Sequence, residues 1–151
     1  MKEIVKTVLN YSVLWLWQLP QHLLGAILIL VTRAKKVTCS KSNIVYWKFE
    51  RNNRFTKYIS GVSLGIYILL ADNDGEETVR HEWGHSKQSL SWGLLYLFVI
   101  GIPSASGNLI GRRKRKQGMK SSEIIEWYYN LPWEWDADER GKVNRPWKTR
   151  R

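Results

Sequence analysis

The pentapeptide His81-Glu82-Trp83-Gly84-His85 constrains this chain more than any other feature. Side chains four apart lie on one face of an α-helix, so a helix here aims both imidazoles at one point. Glu82 sits about 100° around the helix from His81, placed to reach a water held at that point rather than the point itself. Two neutral imidazoles, an open coordination position and a carboxylate that can take a proton make the layout of a zinc hydrolase. Two of the three histidines in the chain lie in this motif. The plainer alternative is a solvated helix face, and a third ligand elsewhere would decide between the two.

Downstream stands Trp133-Glu134-Trp135-Asp136-Ala137-Asp138-Glu139-Arg140-Gly141. Glu134 and Asp138 are four apart and share a face if this stretch is helical. Glu134 can bind a metal, and Asp138 can accept a hydrogen bond from the second ring nitrogen of a ligating histidine, fixing its tautomer. Ala137 leaves room for two helices to approach closely. Pro132 suits a first helical turn and Gly141 a helix C-terminus. With Asp136 and Glu139 the same residues would also make an acidic amphipathic helix.

H-E-x-x-H followed by E-x-x-A-D resembles the gluzincin zinc metallopeptidases, and most closely their membrane-bound branch, which includes the CAAX prenyl proteases and the heat-shock membrane endopeptidase. The zinc domain of the antibiotic-sensing membrane transducers is also similar. The segments 18–25 and 93–104 further resemble short bacterial membrane proteins that share both motifs. The resemblance implies Zn2+ held by His81, His85 and Glu134, with Glu82 as general base and Asp138 behind the ligands. It also implies a small antiparallel sheet whose edge strand binds peptide substrate. Trp133 stands where many gluzincins carry Asn. No downstream histidine exists to stabilise an oxyanion, which leaves Tyr128, Tyr129 or Arg140 as candidates.

At 151 residues the chain makes one domain, 1–151, with a core of ordinary size. Cys39 is its only cysteine, so no intramolecular disulfide staples it. The net charge is +11, with 24 Lys and Arg against 13 Asp and Glu. Such a balance fits an anionic membrane surface or nucleic acid. The densest cluster, Arg112, Arg113, Lys114, Arg115 and Lys116, directly follows an apolar run, as cytoplasmic headgroup-facing segments do. No nucleic-acid-binding motif accompanies it, so nucleic acid is the weaker partner. Nine Trp in so short a chain suit a boundary between lipid and water.

Two apolar runs stand out. The first, 11–31, is long enough to cross a bilayer core, but Gln18, Pro20, Gln21 and His22 interrupt it. The apolar helical segment 1–33 forms either a membrane helix or membrane-embedded helical hairpin, or a pair of buried helices joined at Pro20. The second, 90–110, continues from the histidine helix. If it crossed a membrane straight, His81 and Glu134 would start on opposite sides. A ligand at Glu134 therefore predicts an apolar hairpin that turns back near Gly101-Ile102-Pro103-Ser104.

Between the runs, 43–50, 61–70 and 37–40 carry strand composition, with a turn at 51–54. Segment 71–77 is an acidic loop whose Asp and Glu favour the N-terminus of the histidine helix. The expectation is an α+β fold: a small antiparallel sheet on a zinc-binding helix, a catalytic core over 34–141 and a basic tail over 142–151. The expected function is zinc-dependent endopeptidase action on peptide or membrane-protein substrates. The alternative is a non-catalytic basic membrane protein with a structural metal site for partner binding.

Overall fold

The computed structural model describes residues 12–13, 15–51, 56–71 and 75–147. Most of the 51–54 turn and residues 72–74 of the acidic loop lie outside them. The fold is α+β. Four strands, β1 (Lys35–Thr38), β2 (Val45–Phe49), β3 (Gly61–Leu64) and β4 (Tyr67–Ala71), form one sheet in the order β1-β2-β4-β3. Neighbours β1/β2 and β3/β4 are antiparallel, but β2 and β4 run parallel. The sheet is therefore mixed, not antiparallel throughout. The reason is Gly65. Segment 61–70 is not one strand: Gly65 adopts φ 64°, a conformation glycine takes without steric cost, and with Ile66 makes a two-residue hairpin turn. The run folds on itself, and β4 is delivered beside β2.

Central β4 is buried on both faces, as a strand covered by helices on either side should be. Alternation sends Leu69 and Ala71 one way, where with Phe49 they meet Leu28 and Ile29 of α1 (Leu19–Thr32). Ile68 and Leu70 go the other way, to Val79 and Trp83 of α2 (Glu76–Trp92). Helix α1 approaches the sheet through Gly25, where an added Cβ would lie 2.7 Å from the Tyr67 ring. Pro20 lies in the first turn of α1, so it starts this helix and does not kink it. The helix is inverted in polarity. Gln21 and His22 are buried, while Leu23, Leu24, Ile27, Leu30 and Val31 are exposed.

The second apolar run does not turn back at 101–104. The helix breaks instead at Gly93, the C-cap of α2 at φ 51°, where the Trp17 ring occupies the space a Cβ would need. A 3₁₀ turn (Gly93–Leu95) and a π-helical turn (Leu97–Gly101) follow, then α3 (Ile102–Lys116). The π-helical turn and the first-turn position of Pro103 accommodate the missing proline N–H, so the chain stays helical through 101–104. Next come α4 (Ser121–Tyr129) and α5 (Pro132–Gly141). No helix among the described residues is long and apolar enough to cross a membrane.

Helix α5 lies directly on α2. A Cβ on Gly84 would fall 1.8 Å from the Ala137 carbonyl oxygen, and one on Gly141 would fall 2.1 Å from that of Arg80. Gly141 therefore serves close approach, while Lys142 takes the left-handed cap at φ 57°. This contact brings 81–85 and 134–138 together.

Candidate metal centre

His81 and His85 project from the buried face of α2, and Glu134 from the first turn of α5. One oxygen of Glu134, Oε2, stands 3.0 Å from His81 Nε2 and 3.2 Å from His85 Nε2. The three ligand atoms lie within 4.8 Å of one another, and Glu134 is fully buried.

The partners behind the rings define what this arrangement can hold. His81 Nδ1 is 2.8 Å from Asp138 Oδ1, an atom that only accepts, so Nδ1 carries the proton. His85 Nδ1 is 2.7 Å from Gln88 Oε1. The Gln88 amide is oriented by its Nε2, which donates to the Trp133 carbonyl at 2.7 Å and to Asp136 Oδ2 at 2.8 Å. His85 is thereby a donor at Nδ1 too. In the neutral rings both Nε2 atoms then present lone pairs towards a carboxylate oxygen. Such a cluster needs a cation at its centre or a proton on a ring. Two imidazoles and a carboxylate, with acceptors behind the rings, are the donor chemistry of a zinc site, so these residues fit that metal.

Without metal the cluster binds a proton. Burial works to lower the His81 pKa, but the Asp138 and Glu134 hydrogen bonds outweigh it and raise the value to about 9. Burial would raise the Glu134 carboxyl; the two histidines hold it well below the usual range. Asp138, likewise buried, is held low by His81 and by Arg145, whose Nε donates to Oδ2 at 2.7 Å and Nη2 to Oδ1 at 3.1 Å. Arg145 also stacks on the Tyr129 ring at 3.4 Å, and that ring meets His81 edge-on. Val143 and Arg145 are buried, so the segment read as a tail begins inside the core.

Glu82 lies on the sheet side. Ser63 of β3 donates from Oγ to Glu82 Oε2 at 2.7 Å and lies equally close to the Glu82 carbonyl oxygen. Tyr96 donates to the Ser63 carbonyl at 2.9 Å. Glu82 Oε1 occupies the space above Gly61, where a Cβ would come within 2.5 Å. Both histidines and Glu82 line one cavity of about 640 Å³, walled by β3 and the 58–60 segment on one side and by α3 and α4 on the other.

Of the three candidate oxyanion stabilisers, two reach this cavity. The Tyr128 hydroxyl donates to Glu134 Oε1 at 2.8 Å and receives Asn108 Nδ2 at 2.9 Å. Burial, and then Glu134, push its pKa far up, so it stays a neutral donor. Tyr129, raised to about 12 mainly by burial, also lines the cavity. Arg140 is directed elsewhere, with Nε on Asp136 Oδ2 at 2.6 Å and Nη1 on Ser91 Oγ at 2.8 Å. The α3 helix divides the basic cluster. Arg112 and Arg115 line the cavity, and Lys114 lies over the Trp127 ring of α4.

Sequence reasoning missed Ser63, Gln88, Tyr96 and Arg145. Gln88 was accessible, because it stands three residues beyond His85 on the same helix face. Ser63, Tyr96 and Arg145 reach the site through tertiary contacts that leave no periodic signal. No family model, no curated protein and no solved structure matches this chain.

Proposed function

We propose that this chain is a zinc-dependent endopeptidase of gluzincin type, acting on peptide or membrane-protein substrates at a membrane. The observation that carries it is the convergence of His81, His85 and Glu134, with both Nδ1 protons committed, beside Glu82 on one cavity wall. Zinc, when bound by these donors, supplies a Lewis acid that brings the pKa of a water towards about 7 and polarises a substrate carbonyl.

The chain's own residues do the rest. Glu82, oriented by Ser63, accepts the proton of the attacking water and returns it to the leaving amine. Asp138 and Gln88 keep the histidines in the tautomer whose Nε2 is free to bind. Tyr128 fixes the orientation of Glu134 with its single hydroxyl proton, which leaves Tyr129, also on the cavity wall, as the oxyanion donor. Strand β3 is an edge of the sheet and its residues line the cavity, so an extended peptide can add to it as a further strand.

Membrane association is supported by the inverted polarity of α1 and by exposed Leu94, Leu95, Phe98, Ile102, Leu109 and Ile110 of the second run. In water such a surface is an unfavourable exposure; in lipid it is the solvated face. Embedding of these helices suits the structure better than a straight crossing by one of them.

The test is zinc content by plasma emission spectroscopy, with hydrolysis of casein, on wild type, Glu82→Gln and Glu134→Ala. Glu82→Gln should keep zinc and lose hydrolysis by roughly 100-fold or more. Glu134→Ala should lose zinc. A wild type without stoichiometric zinc refutes the site. Zinc without hydrolysis of any peptide would leave a structural metal site for partner binding.

A further inference from the structure

The end of the cavity away from the histidines carries two guanidinium groups. Helical spacing of three puts Arg112 and Arg115 on the same side of α3, and both line the cavity. Arg112 is held in place: its Nη2 donates to the Tyr58 carbonyl, and its guanidinium lies 4.8 Å from the centre of the Tyr58 ring. A guanidinium has five N–H donors, and among the described residues most of this capacity stays open. Arg115 is exposed at the same mouth. Among the described residues, Glu82 is the only acidic side chain lining this cavity, and it is engaged by Ser63. The positive end is therefore not neutralised by the walls around it.

Its distance from the chemistry can be read along α3. Asn108 reaches Tyr128, which holds Glu134, so Asn108 marks the level of the ligands. Arg112 and Arg115 follow four and seven residues later, about 6 and 10 Å along the axis at 1.5 Å per residue. An extended peptide advances about 3.3 Å per residue, so these distances correspond to roughly two to three residues. We propose that Arg112 and Arg115 form a substrate subsite for a carboxylate two to three residues from the cleaved bond. This rests on the peptidase function proposed above and narrows its substrates to chains that are acidic at that position. Guanidinium pairs suit carboxylates because their paired N–H groups match the two oxygens. The carboxylate is either an Asp or Glu side chain or the free end of the substrate.

The experiment digests two random decapeptide mixtures, one amidated at the C-terminus and one free, with the full-length zinc-loaded protein in detergent micelles. Products are sequenced by mass spectrometry. Asp and Glu should be enriched roughly fivefold over Asn and Gln two to three residues from the cut, the scale of one ion pair at a wet cavity mouth. Arg115→Gln should abolish the enrichment and Arg115→Glu should invert it towards Lys and Arg. Cuts confined to two or three residues from a free C-terminus would assign the same subsite to a terminal carboxylate. Cleavage with no acidic enrichment, or enrichment unchanged in Arg115→Glu, overturns the subsite and leaves the peptidase standing. Arg115→Glu that loses binding to phosphatidylglycerol vesicles with its cleavage preference unchanged gives Arg115 to the lipid surface and also overturns it. No cleavage by a protein that holds zinc overturns both.

Discussion

Gly84→Ala tests whether contact between α2 and α5 sets the metal site. Gly84 lies between His81 and His85 in sequence, and it faces Ala137, which lies between Glu134 and Asp138. A Cβ there would stand 1.8 Å from the Ala137 carbonyl oxygen and 2.6 Å from its carbon, where ordinary contact begins at 3.4 Å. The obstacle is backbone and cannot rotate aside, so the helices must part by about 1.5 Å. Zinc–ligand distances tolerate only about 0.2 Å. The same separation therefore pulls Glu134 out of reach of two histidines that stay together on α2. The expected loss is at least about 100-fold in zinc affinity, or roughly 2.7 kcal/mol. The overpacked interface should cost the metal-free fold a further ~1–3 kcal/mol. Competition against a fluorescent chelator gives the affinity, and thermal melts by circular dichroism give the stability. Gly75→Ala is the control, since its Cβ would meet nothing within 4 Å. A folded Gly84→Ala protein with zinc affinity within about threefold of wild type would refute the claim that this contact positions the ligands.

Three further outcomes follow from the same geometry. Asp138→Asn should weaken zinc binding about 10- to 100-fold, because the amide no longer offers His81 and Arg145 a charged acceptor; an unchanged affinity in the chelator titration would show that Asp138 serves folding alone. Ser63→Ala should lower kcat severalfold with zinc content and KM nearly unchanged, since it frees Glu82 without touching a ligand; lost zinc would place Ser63 with the metal instead. In the zinc-free protein the His81 pKa is raised from 6.5 to about 9. Its stabilisation is thus complete below about pH 6.5 and lost as pH rises through about 9, so the melting temperature of the zinc-free protein should fall across that window. A flat or rising profile contradicts it.

The His81–His85–Glu134 cluster was legible because its information is local. A spacing of four on each of two helices predicts which side chains share a face, and Ala137 marks where the helices touch. The Asp138–His81 bond followed from the same pattern. What resisted was governed by tertiary position. Segment 61–70 has strand composition throughout, and only Gly65 in its middle signals that it is a hairpin; missing it turned a mixed sheet into an antiparallel one. In the second apolar run, Gly101 and Pro103 carry a turn composition, but a π-helical turn absorbs them and the helix break falls at Gly93. Arg145 sits among basic residues that look like a solvated tail, yet Asp138 draws it inside. Gln18, Gln21 and His22 looked like interruptions of an apolar helix. They are buried at its N-terminal end: Gln18, the N-cap, accepts from Ser89, and Gln21 donates to the Gly93 carbonyl.

In the proposed mechanism the two halves of the chemistry hang from different parts of the fold. His81 and Glu134 are oriented from the α4–α5 side, through Asp138, Arg145 and Tyr128, and His85 by Gln88 of its own helix. Glu82 is oriented from the sheet side, through Ser63, whose carbonyl is held by Tyr96 from beyond the helix break at Gly93. The two sets of partners are distinct, but Glu82 and His81 are adjacent and interact electrostatically, so their effects should be coupled rather than additive. Ser63 also lies on the strand to which an extended substrate would add. The Ser63 carbonyl already accepts from Tyr96, so a peptide adding to β3 would meet the same backbone that carries the hydroxyl gripping Glu82, and in the proposed mechanism substrate binding and base orientation share one element. In that reading, a substrate that pairs poorly with β3 should lose turnover as well as binding, as expected when contacts away from the reacting bond hold the reacting groups in place.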